Sequence, residues 1–307
     1  MTDAGRGGIK AVIDVGTNSV KLLVAERARR GIDILGDFVS VTRLGDGVSE
    51  TGSLSCGAME RTASVIDGFA RRARELGALE IHSVGTQAMR TARNADNFIA
   101  AVKDACGVEI RVISGEEEAE LSFCGASSEE AGCLCVFDVG GGSSEIVSGR
   151  LGRVQSRASV PTGALSLFQK FFRHERAARI SEETINRACS YVRTLVADAR
   201  TCVHADACAG VGGTAVSLAS VYIKNSGSPG KIDGAVLSAG EITRQINMYA
   251  GMDSYSRKSI PGLPGERSDI ILPGACILRE LMKTGPFAEL TVRDRGLRHG
   301  LMKRMLK

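Results

Sequence analysis

The stretch VFDVGGGSSEIV, residues 136–147, repeats the pattern of VIDVGTNSVKLLV at residues 12–24. Laying Asp14 on Asp138 also matches Val12 with Val136, Val15 with Val139, Gly16 with Gly140 and Ser19 with Ser143. In each copy an apolar run enters, an Asp and a Gly follow with small hydroxyl or amide residues, and a second apolar run leaves. That order predicts a strand, a tight turn and a second strand, twice over. A chain that opens each half with the same hairpin is read as a duplication.

Composition sets the bounds. A length of 307 residues suits two domains, each able to bury its own core. Charged residues make up 24% and apolar ones 43%, the balance of a soluble globular chain. The net charge of +4 is too mild to imply nucleic-acid binding, so any anion site must be local. The opening MTDAGRGGIK lacks the apolar core of a signal peptide, and no later run is long enough to span a bilayer, so a cytoplasmic protein with no membrane partner is expected. Nine cysteines are scattered, with Cys133 and Cys135 the nearest pair and no CxxC, and His82, His174, His204 and His299 show no ligand spacing with them. They read as reduced, small core residues rather than a zinc site.

Between the hairpins, GIDILGDFVSVTRLG continues as strands. Residues 58–76 then place Met59, Ala63, Ile66, Phe69, Ala73 and Leu76 on one helical face, with Arg71, Arg72 and Arg74 on a solvated one. LEIHSVGTQAMRTARN predicts a strand, a turn and a short helix; ADNFIAAVKDACG a helix; VEIRVIS a strand. The second half predicts a helix over 181–200, the strand DACAGVGG leading into the helix TAVSLASVY, helices at GEITRQINMYAG and SDIILPGACILRELMK, the strand AELTVRD and the helix RGLRHGLMKRML. The division follows as an α/β domain over 1–125 and a second over 126–307, their two loops facing one cleft.

Glycine turns let backbone N–H groups approach a ligand, and flanking Ser, Thr and Asn add donors, which suits phosphate. Asp14, Asp138 and Glu145 are candidate ligands of Mg²⁺ or another divalent cation, which usually takes one or two carboxylates together with substrate phosphates. In ISGEEEAELSF, Ser114 and Glu117 fit a capping box, and Glu118 lies a further ~100° round the helix. GVGGTAVSLASV sets Gly212, Gly213 and Thr214 where a strand gives way to a helix, either an anion site or a plain turn. Arg90, Arg93, Arg267, Arg295 and Arg298 are candidates for phosphate oxygens that composition leaves unranked. No cysteine–arginine phosphatase loop is present, since no arginine follows Cys202 at the needed spacing.

With AVIDVGTNSVKLLV, TRLGDGVSETGSLS, VGTQAMRTARN, VISGEEEAELSF, VFDVGGGSSEIV, GVGGTAVSLAS and RSDIILPGACIL occurring in that order, the chain resembles the exopolyphosphatase and guanosine pentaphosphate phosphatase (Ppx/GppA) family over almost its whole length. The resemblance implies the duplicated α/β fold of the actin-like (ribonuclease H-like) phosphotransferases, two domains around a central cleft. It further implies that Gly16, Thr17, Asn18 and Ser19 line one phosphate loop and Gly140, Gly141, Gly142, Ser143 and Ser144 the other. Arg90 looks like the family's phosphate-contacting arginine and Glu118 like its general base; Asp138 and Glu145 look like its residues for metal or water. Lys21 departs from the arginine the family often has there, keeping the charge and losing the bidentate fork.

The reaction implied is metal-assisted attack of water on a terminal phosphoryl group, with inorganic polyphosphate the expected substrate and guanosine pentaphosphate the alternative. A small-molecule kinase of the same fold and a non-enzymatic polyphosphate or nucleotide sensor are the competing readings. Some relatives add a helical C-terminal extension, and a homodimer is the expected way to cover a surface it would leave.

Overall fold

In a computed structural model, residues 8–29, 31–127, 132–175, 178–199, 203, 205–223 and 232–306 are described. The sequence readings that fall on Met1–Gly7, Arg200, Cys202 and His204 lie outside them. The chain divides into two compact units, residues 1–125 with 297–307, and residues 126–296.

The first unit carries β1 (Lys10–Val15), β2 (Ser19–Arg27), β3 (Ile32–Val41), β4 (Glu80–Gly85) and β5 (Ile110–Val112), ordered β3-β2-β1-β4-β5. β1 and β2 pair antiparallel, as do β2 and β3, while β4 runs parallel to β1 and β5 to β4. The second unit carries β6 (Cys133–Val139), β7 (Ser144–Arg150), β8 (Arg153–Val160), β9 (Ala207–Val211), β10 (Val236–Ser238) and β11 (Glu289–Val292), ordered β10-β11-β9-β6-β7-β8. Here too a three-strand antiparallel meander leads, and β9 then joins parallel to the first strand. The correspondence reaches single residues. Asp14 pairs with Lys21 as Asp138 pairs with Glu145, and the register shift at Val24/Ala25 recurs at Ser148/Gly149. The two units thus repeat one mixed α/β topology.

The near-continuous apolar character of β1 and β2 follows from burial on both faces. Ala11, Ile13, Val15, Val20, Leu22 and Val24 join one core with Ile66 and Ala70 of the Cys56–Glu75 helix and Phe98 of the Ala95–Cys106 helix. Val12, Leu23 and Ala25 face the other way, onto Met302 and Leu306. In the second unit Phe137, Val139 and Ile146 enter a single core with Leu218, Ile246, Leu272 and Leu278. Arg71 and Arg72 make the exposed ion pairs expected of a solvated face, with Asp67 and Glu75. The described cysteines are free thiols, Cys135, Cys189, Cys208 and Cys276 buried and Cys56 exposed. No described helix is long and apolar enough to cross a membrane.

The division at 125/126 needs one correction. Chain order places the final helix, Leu297–Met305, with 126–307, yet it packs on the first unit. Four kinds of contact hold it there. Arg298 grips Asp37 through Nε at 3.0 Å and Nη2 at 2.9 Å, and Lys303 Nζ donates to the carbonyls of Cys124 and Gly125 at 2.8 and 3.1 Å. Arg304 pairs with Glu120 at 3.2 Å. Gly300 crosses so close to the helix Gly115–Ala126 that a Cβ there would overlap the carbonyl oxygen of Leu121. Chain order suggested otherwise because the exposed face of a sheet in one half is invisible in the sequence of the other.

Two glycine substitutions test this packing. Gly300→Ala forces the last helix off the Leu121 carbonyl and is expected to destabilise by about 1–3 kcal/mol, read as a lower urea midpoint. Gly68 lies inside the Cys56–Glu75 helix with nothing within 4 Å of an added Cβ. Gly68→Ala is therefore expected to stabilise by about 0.5–1 kcal/mol. A wild-type midpoint for Gly300→Ala would show that the close crossing is not a constraint.

Candidate functional site

The two hairpin loops close in the same way. Gly16 N donates to Ser19 O and Gly140 N to Ser143 O, each at 3.0 Å, and a Cβ on either glycine would come within 3.0 Å of that serine oxygen. What differs is the backing. In the first loop the carbonyls of Thr17 and Asn18 accept from the backbone N–H groups of Gly45 (2.9 Å), Thr42 (3.1 Å) and Arg43 (2.9 Å). In the second, the carbonyls of Gly140 and Gly141 accept from Ala164 (2.8 Å), Leu165 (2.9 Å) and Ser166 (3.1 Å). Carbonyls turned back into the protein leave a loop's N–H side for a ligand, which is the polarity an anion requires.

The first loop also holds polar atoms in want of a partner. Thr17, Asn18 and Ser19 are buried, and Thr17 Oγ1 and both amide atoms of Asn18 make no hydrogen bond among the described residues. Each such orphan costs about 1–3 kcal/mol, a penalty that a ligand able to bond there would remove. Asp14, at the end of β1, is buried and paired with Lys21 Nζ at 3.2 Å. Lys21, where the family often has arginine, is thus spent on this carboxylate.

Glu118 and Arg90 meet in this unit. Ser114 Oγ accepts from Glu117 N at 3.1 Å and starts the Gly115–Ala126 helix, but Glu117 does not complete the capping box. Its carboxylate turns to Arg111 on β5, in a bidentate pair at 2.7 and 2.8 Å that holds its pKa below the usual range. A charge-assisted fork outcompetes a single bond back to a neutral N–H. Glu118, one residue on, is 8% exposed and accepts from Arg90 Nη1 at 2.8 Å. Arg90 sits on the short helix Gln87–Thr91 that follows β4, and it also donates to the carbonyl of Ile113 and to Gln87 Oε1. Gln87 was not among the sequence candidates; only its place one helical turn before Arg90 signals it.

In the second unit Asp138 and Glu145 are cross-strand partners, so both side chains stand on one face of the sheet. Glu145 is buried and accepts from Ser159 Oγ at 3.0 Å. Gly212 turns β9 into the helix Gly212–Ile223 with φ 79°, and a Cβ there would stand 2.5 Å from Asp138 Oδ1. The guanidinium of Arg267 lies directly over Gly213, in the space a side chain would fill, and burial lowers its pKa. Thr214 Oγ1 reaches the carbonyl of Val139 at 3.3 Å, tying this turn to the base of the second loop. Of the other arginines, Arg93 is spent on Thr51 O at 2.8 Å, Arg298 on Asp37, and Arg295 is exposed.

No cluster of three or more His, Cys, Asp or Glu with metal-binding geometry occurs among the described residues. The fit to a divalent cation therefore rests on the pair Asp138 and Glu145, a donor set that suits Mg²⁺ when phosphate oxygens and waters supply the rest.

The family description Ppx/GppA phosphatase matches residues 23–307. The chain belongs to the Ppx/GppA phosphatase family. Relatives named guanosine-5'-triphosphate,3'-diphosphate pyrophosphatase, from Vibrio parahaemolyticus and Vibrio vulnificus, are each 28% identical over 100% of this chain and 61% of their own length. The chain thus spans about three fifths of the curated relatives it matches. The crystal structure of the Aquifex aeolicus member of the Ppx/GppA family superposes with a TM-score of 0.81 at 28% identity, covering 98% of both chains. An exopolyphosphatase from Cytophaga hutchinsonii superposes with a TM-score of 0.89 at 24% identity, covering 98% of both, a likeness of fold.

The second loop of this Ppx/GppA chain supplies a test. A Cβ at Gly163 would overlap the carbonyl carbon of Gly141 and stand 2.6 Å from its oxygen and from Gly142 N. Gly163→Ala is expected to displace the loop and raise the KM for a phosphate-chain substrate about tenfold or more, while Gly265→Ala, with nothing within 4 Å, leaves it unchanged. Equal KM values for both variants would mean that the loop's position does not govern binding.

Proposed function

We propose that this Ppx/GppA chain hydrolyses a terminal phosphoanhydride, with guanosine-5'-triphosphate,3'-diphosphate ahead of inorganic polyphosphate. The observation that carries the reading is the buried Glu118 carboxylate held 2.8 Å from Arg90. A general base needs a fixed carboxylate within reach of a water, and an adjacent guanidinium suits the charge that spreads over a phosphoryl group in the transition state. Sequence reading alone put polyphosphate first. The names of the Vibrio relatives, matched along the whole of this chain, reverse that order.

In the proposed reaction a water oxygen forms a bond to the terminal phosphorus as the bridging P–O bond breaks, and the electron pair leaves with the shortened chain. The water's proton passes to Glu118. Arg90 and the loop Gly16–Ser19 of the first unit bind and orient the phosphoryl oxygens, and Thr17 and Asn18 gain the partners they lack; the loop Gly140–Ser144 of the second unit has the same polarity toward phosphate. Arg267 over Gly213 stands ready for a further phosphate. Asp138 and Glu145 would hold Mg²⁺, which supplies charge neutralisation for the phosphate chain when bound.

Phosphate release from guanosine-5'-triphosphate,3'-diphosphate, short and long polyphosphate and ATP, with Mg²⁺ and with chelator, tests the proposal. Release chiefly from the guanosine nucleotide, lost with chelator and lowered at least ~10²-fold in Glu118→Gln, is expected. Release chiefly from polyphosphate would return the assignment to exopolyphosphatase, phosphate transfer from ATP to an acceptor would indicate a kinase, and binding without turnover would indicate a sensor.

A further inference from the structure

The guanidinium of Arg90 has five N–H groups, and its neighbours use four of them. Nη1 gives one to the carbonyl of Ile113 at 2.9 Å and one to Glu118 Oε2 at 2.8 Å. Nε and Nη2 each give one to the same atom, Gln87 Oε1, at 3.1 and 2.8 Å. One Nη2 hydrogen is left without a partner among the described residues. We propose that Gln87 is the positioning residue of this site, the group that fixes the plane of the Arg90 guanidinium so that one edge holds Glu118 and the remaining N–H is offered to a phosphate oxygen. The inference rests on the roles given to Arg90 and Glu118 above.

The geometry supports a positioning role over a structural one. Gln87 opens the Gln87–Thr91 helix and is only half-buried, whereas its neighbours Ala88 and Met89 are the residues that enter the core. Arg90 follows it by three residues, so the pair meets through one turn of helix and needs no distant element. An arginine side chain has four rotatable bonds, and a single ion pair to Glu118 would leave the guanidinium free to pivot about it. Two bonds from one edge to a single acceptor remove that freedom.

The choice of residue type also carries information. Glutamate would accept the same two hydrogen bonds, but it would place a second carboxylate on Arg90 and offset the charge that attracts phosphate. Glutamine accepts without neutralising. The two properties can therefore be separated, because Gln87→Met removes the acceptor while keeping the shape, and Gln87→Glu keeps the acceptor while adding the charge.

The test measures kcat and KM with guanosine-5'-triphosphate,3'-diphosphate for wild type, Gln87→Met, Gln87→Glu and Glu118→Gln, alongside thermal unfolding and the Nε–H resonance of Arg90 in arginine-labelled protein. Gln87→Met is expected to lower kcat about tenfold with KM within about twofold, and Gln87→Glu to raise KM about tenfold with kcat within about threefold. The Arg90 Nε–H signal should persist in wild type, Gln87→Glu and Glu118→Gln and disappear by exchange in Gln87→Met. An unchanged kcat in Gln87→Met, the same defect in both Gln87 variants, or loss of folding in either would overturn the proposal. Full turnover by Glu118→Gln would instead refute the base assignment, and the resonance would still decide whether Gln87 fixes Arg90.

Discussion

Both sheets are built from one constraint: the loop of each leading hairpin must turn in four residues and direct its carbonyls inward. The closing bond from glycine N–H to serine carbonyl is 3.0 Å in both copies, and a Cβ on either glycine would press to 3.0 Å against that same oxygen. Everything that surrounds the loops serves that orientation. The first is backed by the backbone at Thr42–Gly45, the second by the start of the helix Ala164–Leu167, where Gly163 must be bare for the loop to sit. Two unrelated buttresses reach the same result, because buried carbonyls in a tight loop must be hydrogen-bonded by whatever backbone lies behind it.

The carboxylates follow from the same hairpins. Asp14 and Asp138 occupy equivalent positions on β1 and β6, yet their surroundings have diverged. Opposite Asp14 stands Lys21, which neutralises it at 3.2 Å; opposite Asp138 stands Glu145, which adds a second negative charge. Duplication thus produced two copies of one frame, with a salt bridge at this position in the first and two acidic residues facing each other across the strands in the second.

The last helix shows how a distant part of the chain completes the first unit. Val12, Leu23 and Ala25 alternate with residues of the main core and need cover on their own side of the sheet, which Met302 and Leu306 provide. The same helix caps the carbonyl end of the Gly115–Ala126 helix through Lys303, where a cation complements the negative end of the helix dipole. Glu118 rides on that capped helix, so its placement owes as much to residues near position 300 as to its own neighbours.

The sequence alone was enough for the duplication, the two glycine hairpins and most of the strands and helices, because each depends on local chemistry: glycine where the backbone is crowded, alternation or continuity of apolar residues where one or both faces are buried; β8, β10 and the helix Ala164–Leu167 carry weaker local signals and are seen only in the fold. The family could be recognised from the same motifs. Tertiary structure alone decided which partners the polar groups take. Nothing in GEEEA says that Glu117 turns to Arg111 while Glu118 turns to Arg90, since a helix sets the angle between neighbours but not what lies in either direction. Residue type alone does not rank Arg90 above Arg93 or Arg298; the family resemblance singles it out, and the fold shows what it holds. Those choices are made by competition for donors and acceptors brought together from distant parts of the chain, and only the folded structure contains that information.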